Sequence, residues 1–170
     1  MNNLKNNEIY KYISSQYPDP KEQYKILFEI VNGICQEQDW GEPFSYARSR
    51  EIHMAIVLDH SIASTYSGAD AIDEDGECEY KSTIGKNINA TYNGISVMET
   101  WEKQVDYIKN KKIGKYKNHY YARYEGPDIK EIWHMDGNKV SELIIKKIKN
   151  KYKTANNKKD PRLGTSLSKT

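Results

Sequence analysis

Cysteine is scarce in this sequence of 170 residues, which contains only Cys35 and Cys78. Two cysteines are too few for a disulfide framework, and they lack the close spacing of zinc-binding pairs. We expect both to be buried thiols in a reducing compartment. The composition therefore excludes the disulfide-rich secreted domains and the cysteine-based zinc proteins.

Long apolar runs are also missing. The first residues, 1–12, mix Asn, Lys and Glu with isolated apolar side chains. They contain neither the apolar core of a signal peptide nor a stretch long enough to span a bilayer. We expect a cytoplasmic protein without a membrane partner.

The chain has little excess of either charge, with 26 Lys and Arg against 24 Asp and Glu for a net charge of +2. Bulk charge alone therefore does not indicate a nucleic-acid partner, and the distribution of charge matters more. Phenylalanine is rare, with two residues against 14 tyrosines. Such amphipathic rings suit strands and polar ligand surfaces. The length fits a single domain.

One acidic stretch predicts a β-hairpin. Its turn is Asp73–Gly76, where an Asp-Gly step suits a tight reversal, and its arms are 69–72 and 77–83. Ser67 and Gly68 precede the first arm. The hairpin is the feature around which we expect the functional site to form.

The second arm of this hairpin has two chemically different faces. A strand period of two places Glu79 and Lys81 on one face, with Cys78 and Tyr80 on the other. Asp70, near the start of the first arm, then lies alongside the charged pair. Two carboxylates beside an ammonium suit a hard divalent cation and a metal-bound water. This is the chemistry of phosphodiester hydrolysis.

These residues resemble the PD-(D/E)XK nuclease superfamily, and within it the Type II restriction endonucleases. The matching segments are Gly68–Ala71, Asp75–Gly76 and Glu79–Ser82. Ala69 stands where the family often has a proline before its aspartate. The resemblance implies an α/β fold with a mixed central β-sheet flanked by helices, a restriction-endonuclease-like core.

The resemblance also implies roles for individual residues. Asp70 and Glu79 would bind Mg²⁺, for which Mn²⁺ substitutes, together with the main chain of Tyr80. Lys81 would handle the attacking water. Asp73 is the competitor for the role of Asp70 if the register of the first arm is shifted.

Glu51, in the helical segment ahead of the hairpin, matches an acid that supports the metal site in the family. A plain first-turn carboxylate is the open alternative. His53 and His60 lie in the same segment and are too loosely spaced for a zinc motif, so we interpret them as structural.

A polar stretch after the hairpin, 86–96, contains a Tyr-Asn-Gly sequence that predicts a reversal. Its donors and acceptors match phosphate oxygens and base edges, although the same composition is typical of a solvated loop. Its position beside the hairpin favours DNA contact. The candidate DNA-binding residues are Lys86, Asn87, Asn89, Thr91, Tyr92 and Asn93.

Apolar periodicity predicts the remaining elements. A first helix is expected at 7–17. A second helix is expected to begin after the cap Asp19 with Pro20 in its first turn, and to face the core with an apolar stripe over Tyr24–Ile34. Further helices are expected at 45–62, 97–110 and 139–153. Strands are expected at 119–124 and 129–134. The nuclease domain would then cover residues 1–153.

Residues 154–170 form a basic C-terminal segment. The charge, together with that of the preceding helix, comes from Lys146, Lys147, Lys149, Lys151, Lys153, Lys158, Lys159, Arg162 and Lys169. Such a run is usually a solvated face and tail, and in a nuclease it would instead hold the DNA backbone. Residues 160–165 are expected to form an ordered turn.

The sequence thus predicts a magnesium-dependent, sequence-specific endonuclease that acts on double-stranded DNA. A homodimer would present two sites to a symmetric target, through the helix at Tyr24–Ile34 or the helix at 139–153. Two alternatives stay open. One is a non-catalytic DNA-binding module with a nuclease-like fold, and the other is a nuclease acting on RNA or branched DNA.

Overall fold

The computed structural model describes residues 7–45, 47–64, 68–155 and 161–168. The helices in these ranges are α1 (Glu8–Gln16), α2 (Pro20–Glu37), α3 (Arg48–Leu58), α4 (Trp101–Tyr107) and α5 (Gly137–Ala155), with a π-helical turn (Ile108–Lys112) continuing α4. The strands are β1 (Ser61–Ile62), β2 (Ala71–Asp73), β3 (Gly76–Thr83), β4 (Asn89–Ser96), β5 (Asn118–Glu125), β6 (Asp128–Asp136) and β7 (Arg162–Ser168).

Five strands form a mixed sheet in the order β1-β2-β3-β5-β6. Strands β3 and β5 run parallel, and the other neighbours are antiparallel. Strands β4 and β7 form a second, two-stranded antiparallel sheet. The predicted α/β class, with a mixed sheet flanked by helices, is confirmed. No helix among the described residues is long and apolar enough to cross a bilayer.

Two apolar clusters hold helices on opposite faces of the mixed sheet. On one face, Met54 and Ala55 of α3 pack against Cys78 and Tyr80 of β3 and Ala122 of β5. On the other face, α5 packs against β5, the π-helical turn and the two-stranded sheet, and the buried residues of α5 in this cluster are Val140, Ile144, Ile148, Tyr152 and Ala155. Both cysteines are free and buried, as expected.

The predicted hairpin is confirmed, with Ala71 opposite Cys78 and Asp73 opposite Gly76. Helix α1 and the start of α2 also match the prediction, since the side chain of Asp19 accepts from the Lys21 N–H and Pro20 occupies the first turn. The strands predicted at 119–124 and 129–134 are β5 and β6.

Helix α3 ends earlier than the predicted Ile62. Asp59 takes the left-handed conformation (φ 58°, ψ 38°), which a short polar side chain tolerates. The N–H of His60 then donates to the carbonyl of Ala55 (2.9 Å) and closes the helix. The released residues form β1, which pairs with β2.

The apolar stripe of α2 does not face the core, and this prediction was wrong. Tyr24 is 71% exposed and Leu27, Phe28, Val31 and Ile34 are each at least 40% exposed. Only Cys35 is buried in this helix. Helical periodicity indicates that one face of a helix is apolar, but it does not specify what that face contacts.

Two further predictions need correction. The polar stretch contains no reversal at Tyr92-Asn93-Gly94, because strand β4 continues through it with a shift in register between Tyr92 and Ile95. The turn expected at 160–165 is strand β7 from Arg162, and Leu163 and Leu167 of that strand are buried in the core. Ser67, Lys158, Lys159, Asp160 and Lys169 lie outside the described residues.

We expect Gly137→Ala to destabilise the fold. The Gly137 N–H donates to the carbonyl of Lys117 (2.7 Å), and a Cβ at this position would lie 1.9 Å from the carbonyl oxygen of Tyr116. Overpacking against main chain should lower the free energy of unfolding by about 2 kcal/mol in urea titrations. Gly33→Ala is the control, since its Cβ meets nothing within 4 Å in α2. That change should raise the free energy of unfolding by about 1 kcal/mol. Equal effects of the two changes would contradict the close packing of Gly137 against the main chain.

Candidate active site

Asp70 is bound to the main chain of β3 by two hydrogen bonds, one from its own N–H and one to its carboxylate. Its N–H donates to the carbonyl of Cys78 (3.1 Å), and its carboxylate accepts from the N–H of Tyr80 (2.7 Å). These contacts direct the Asp70 side chain along β3. The alternative register, with Asp73 in this position, is therefore excluded.

The alternation along β3 is as predicted. Cys78 and Tyr80 are buried against α3, whereas Glu79 and Lys81 face the opposite side of the sheet. There they line a cavity of about 490 Å³ together with Asp70. The structure thus brings all three predicted charged residues together.

Lys81 is the hydrogen-bond donor at the centre of this group. Its Nζ donates to the Glu79 carboxylate and to the carbonyl oxygen of Tyr80 (3.0 Å for the latter). Burial acts to lower the pKa of Lys81, but the charges of Glu79 and Asp70 outweigh it and the pKa is raised. In this arrangement Lys81 is an ammonium that donates hydrogen bonds.

Asp70 has a strongly perturbed carboxyl group. Burial and the charges of Glu79 and Glu51 raise its pKa to about 7, although Lys81 and the Tyr80 N–H oppose the shift. Burying two adjacent carboxylates is unfavourable unless cations compensate their charge. One lysine compensates them only in part, which is a charge balance suited to a further cation.

The donors present fit a magnesium site. Asp70 and Glu79 offer carboxylate oxygens, and Tyr80 offers a carbonyl oxygen that already accepts from Lys81. Mg²⁺ is commonly bound by one or two carboxylates and retains several waters. Within the described ranges, no group of three or more His, Cys, Asp or Glu side chains is placed to hold a metal. Any ion here would therefore depend on main-chain and water oxygens and would compete with the Lys81 ammonium.

Glu51 lies beside the cavity but does not line it. It is in the first turn of α3, and its carboxylate is 3.5 Å from the guanidinium of the buried Arg48. It lines a smaller adjoining cavity of about 190 Å³, which Lys81 and Arg50 also line. Glu51 thus acts on Asp70 and Lys81 through its charge.

The predicted DNA-binding residues fall into three environments. Thr91 and Asn93 line the main cavity, and Asn89 with Thr91 lines the smaller one. Lys86 and Asn87 are exposed in the turn between β3 and β4.

Tyr92 is 4% exposed, and its hydroxyl bonds to His119 and Tyr121. Tyr92 lines the main cavity, but its hydroxyl is already bonded to His119 and Tyr121, so its role as a DNA-binding residue stays a prediction. Its phenol ring lies below the Lys81 Nζ, 5.4 Å from ring centroid to nitrogen.

Several residues of the cavity were missed by the sequence analysis. Strand β5 lies parallel to β3 with His119 opposite Glu79 and Tyr121 opposite Lys81, so His119 faces the cavity from the neighbouring strand. The π-helical turn and the loop after it contribute a second group: Lys111, Lys112, Ile113, Lys115 and Tyr116. The lysine run was visible as positive charge at a helix end, but nothing local indicated that it faces the carboxylates.

The remaining polar candidates lie outside the cavity. His53 bonds to the hydroxyl of Tyr124 (3.0 Å) and His60 to that of Tyr80 (2.7 Å), which fits their interpretation as structural. Asp73 accepts from Asn118 and Tyr120. Burial alone would raise its pKa, but the Asn118, Asp75 N–H and Tyr120 hydrogen bonds lower it.

No protein-family model and no curated protein sequence matches the chain.

Asp70→Asn is expected to stabilise the metal-free protein at alkaline pH. The pKa of Asp70 is about 7 in the folded protein and 3.8 for an ordinary carboxyl, so stability falls as the pH rises between these values. In EDTA at about pH 8 the variant should melt roughly 5 °C above the wild type. Near pH 4 the two should melt together, because the folded wild type is then protonated at Asp70.

Asp73→Asn is the matched control for this melting experiment, because the pKa of Asp73 is shifted downwards. Its neutral variant should melt below the wild type at about pH 8. Added Mg²⁺ should raise the melting temperature of the wild type but not that of Asp70→Asn. If Asp70→Asn melted below the wild type in EDTA, the unfavourable burial of this carboxylate would be refuted.

Proposed function

We propose that this protein is a magnesium-dependent endonuclease of the PD-(D/E)XK type that hydrolyses phosphodiester bonds in double-stranded DNA. We further propose that it is cytoplasmic and acts at a specific sequence, as Type II restriction enzymes do. The observation that supports this most is the placement of Asp70, Glu79 and Lys81 in one cavity, with two carboxylates whose burial a cation would relieve.

Different residues of the cavity would bind the metal, orient the attacking water and contact the DNA strand. Asp70, Glu79 and the Tyr80 carbonyl would hold Mg²⁺, which when bound supplies charge stabilisation at the phosphate and an activated water. The Lys81 ammonium is placed to orient the attacking water by donating to its oxygen. Because its pKa is raised, it holds its protons at neutral pH. Thr91 and Asn93 offer polar contacts to the bound strand on the side of β4.

Cleavage by single-residue variants tests this proposal. Asp70→Ala, Glu79→Ala and Lys81→Ala should each reduce plasmid cleavage by about 100-fold or more, while binding of duplex DNA in Ca²⁺ changes little. Glu77→Ala is the matched control, because Glu77 is exposed on β3 two residues before Glu79 and does not line the cavity. It should cleave as the wild type does.

The same cleavage and binding measurements, repeated in different divalent metals, test the metal requirement. Oxygen ligands favour Mg²⁺ or Mn²⁺, and Ca²⁺ should support binding with little cleavage. Full cleavage by the Asp70 and Glu79 variants, or cleavage that persists in EDTA, would refute the mechanism. DNA binding without cleavage in any of these metals would favour the non-catalytic module, and cleavage restricted to RNA or branched DNA would favour the other alternative.

We also propose a homodimer, because one site cuts one strand of a duplex. Of the two surfaces predicted, the apolar side of α5 is buried in the core, whereas the stripe of α2 is exposed. Phe28 of this stripe stacks on Phe44 at 3.8 Å between centroids, which widens the apolar surface. Exposed apolar patches of this kind mark interaction sites.

The double variant Leu27→Glu and Val31→Glu should convert the dimer to a monomer. Light scattering on the complex with duplex DNA should give two chains for the wild type and one for the variant. Gln36→Glu, an exposed position of the same helix, adds the same type of charge and should leave the dimer intact. A wild type with one chain per duplex, and with nicked instead of linear plasmid, would identify a monomeric nicking enzyme.

A further inference from the structure

Three lysines beyond the predicted site line the main cavity. Lys111 and Lys112 are in the π-helical turn, and Lys115 is in the loop that follows. With Lys81 they bring the lining to four lysines against the two carboxylates Asp70 and Glu79. The cavity therefore combines an acidic floor with a basic rim, although the whole chain is almost neutral.

Lys111, Lys112 and Lys115, the rim lysines, form no ion pair with the residues that the structure describes. None of the ion pairs among the described residues involves Lys111, Lys112 or Lys115. By contrast, the neighbouring Lys117 pairs with Asp75, and Lys103 on α4 pairs with Glu99. The rim charges thus remain available to an anionic ligand.

The main chain that carries these lysines is held tightly. The N–H groups of Ile113 and Gly114 both donate to the carbonyl of Ile108 (3.0 Å each) and close the π-helical turn. A Cβ at Gly114 would lie 2.2 Å from the carbonyl oxygen of Lys109, so this close approach requires glycine. Single π-helical turns are frequent at functional sites.

A buried chain of hydrogen bonds connects this loop to the floor of the cavity. His119, which is fully buried, bonds through Nε2 to the carbonyl of Ile113 (3.1 Å), so Nε2 carries the proton and Nδ1 accepts from the Tyr92 hydroxyl (3.0 Å). The Tyr121 hydroxyl in turn donates to Tyr92 (2.9 Å). Burial lowers the pKa of His119 and keeps it neutral, as this arrangement requires.

We infer that Lys111, Lys112 and Lys115 form a binding site for the backbone phosphates next to the scissile phosphate. The inference rests on the proposed function in taking DNA as the ligand. When the scissile phosphate of a DNA strand lies over Asp70 and Glu79, the neighbouring phosphates of that strand lie at the rim of the same cavity. Lys115 is held for this contact above the ring of Tyr116, 4.3 Å from its centroid. His119 is a positioning residue that holds the loop.

Such contacts would act on binding and not on the chemical step. Flanking phosphates are bound equally in the ground state and the transition state, so their loss raises KM and leaves kcat nearly unchanged. Each phosphate contact also contributes about 0.9 to the slope of log K against log salt. Three contacts should therefore account for a slope of about 2.7.

The test is the triple variant Lys111→Gln, Lys112→Gln and Lys115→Gln, with a fluorescent duplex as the probe. Kd is measured in Ca²⁺ over a salt series, and KM and kcat in Mg²⁺. Between about 50 and 200 mM salt the wild type should lose about 40-fold more affinity than the variant. The control replaces three exposed lysines that do not line the cavity, Lys11, Lys21 and Lys109, with Gln, and it should retain the wild-type slope.

The outcomes separate this inference from the proposed function. A triple variant with the slope of the control, in a protein that still cleaves DNA, would overturn the lysine site and leave the nuclease intact. A reduced slope in a protein that binds DNA but never cleaves would support the lysine site and overturn the nuclease. A wild type that does not bind the duplex would overturn both.

Discussion

Strands β3 and β5 run parallel, and parallel neighbours cannot be joined by a tight turn. Residues 84–117 therefore have to leave the sheet and return, and they form β4, α4 and the π-helical turn on the way. Of these elements, β4 and the π-helical turn line the cavity on the charged face of β3. Thr91 and Asn93 of β4 stand on one side of it, and Lys111 and Lys112 of the π-helical turn also line it. The parallel pairing thus creates the site as well as the sheet.

The electrostatics of the cavity follow from that enclosure. An acidic hairpin on an open surface would have ordinary carboxyl groups, but the crossover buries Asp70 beside Glu79 and raises its pKa to about 7. The same burial brings Lys81 onto the oxygens that a metal would use. A strongly perturbed carboxyl group of this kind is typical of functional sites.

Hydrogen bonding shows the same division between the two faces of the sheet. On the face of α3, His53 and His60 bond to the hydroxyls of Tyr124 and Tyr80 and complete a packed layer. On the cavity face, His119 and Tyr92 continue a chain of hydrogen bonds to the loop at Ile113. Histidines of one chain therefore differ in role according to the face of the sheet that they occupy, which their residue type alone does not indicate.

Local sequence was sufficient for the features that depend on neighbouring residues. The Asp-Gly turn and the period of two in β3 predicted the hairpin and the shared face of Glu79 and Lys81, and capping by Asp19 predicted the start of α2. Only the tertiary structure decided that His119 and the lysines at 111, 112 and 115 join those carboxylates, that Tyr92 is buried and that the α2 stripe is exposed. Turns and periodicity are set by interactions over a few residues, whereas these placements come from pairing between distant strands.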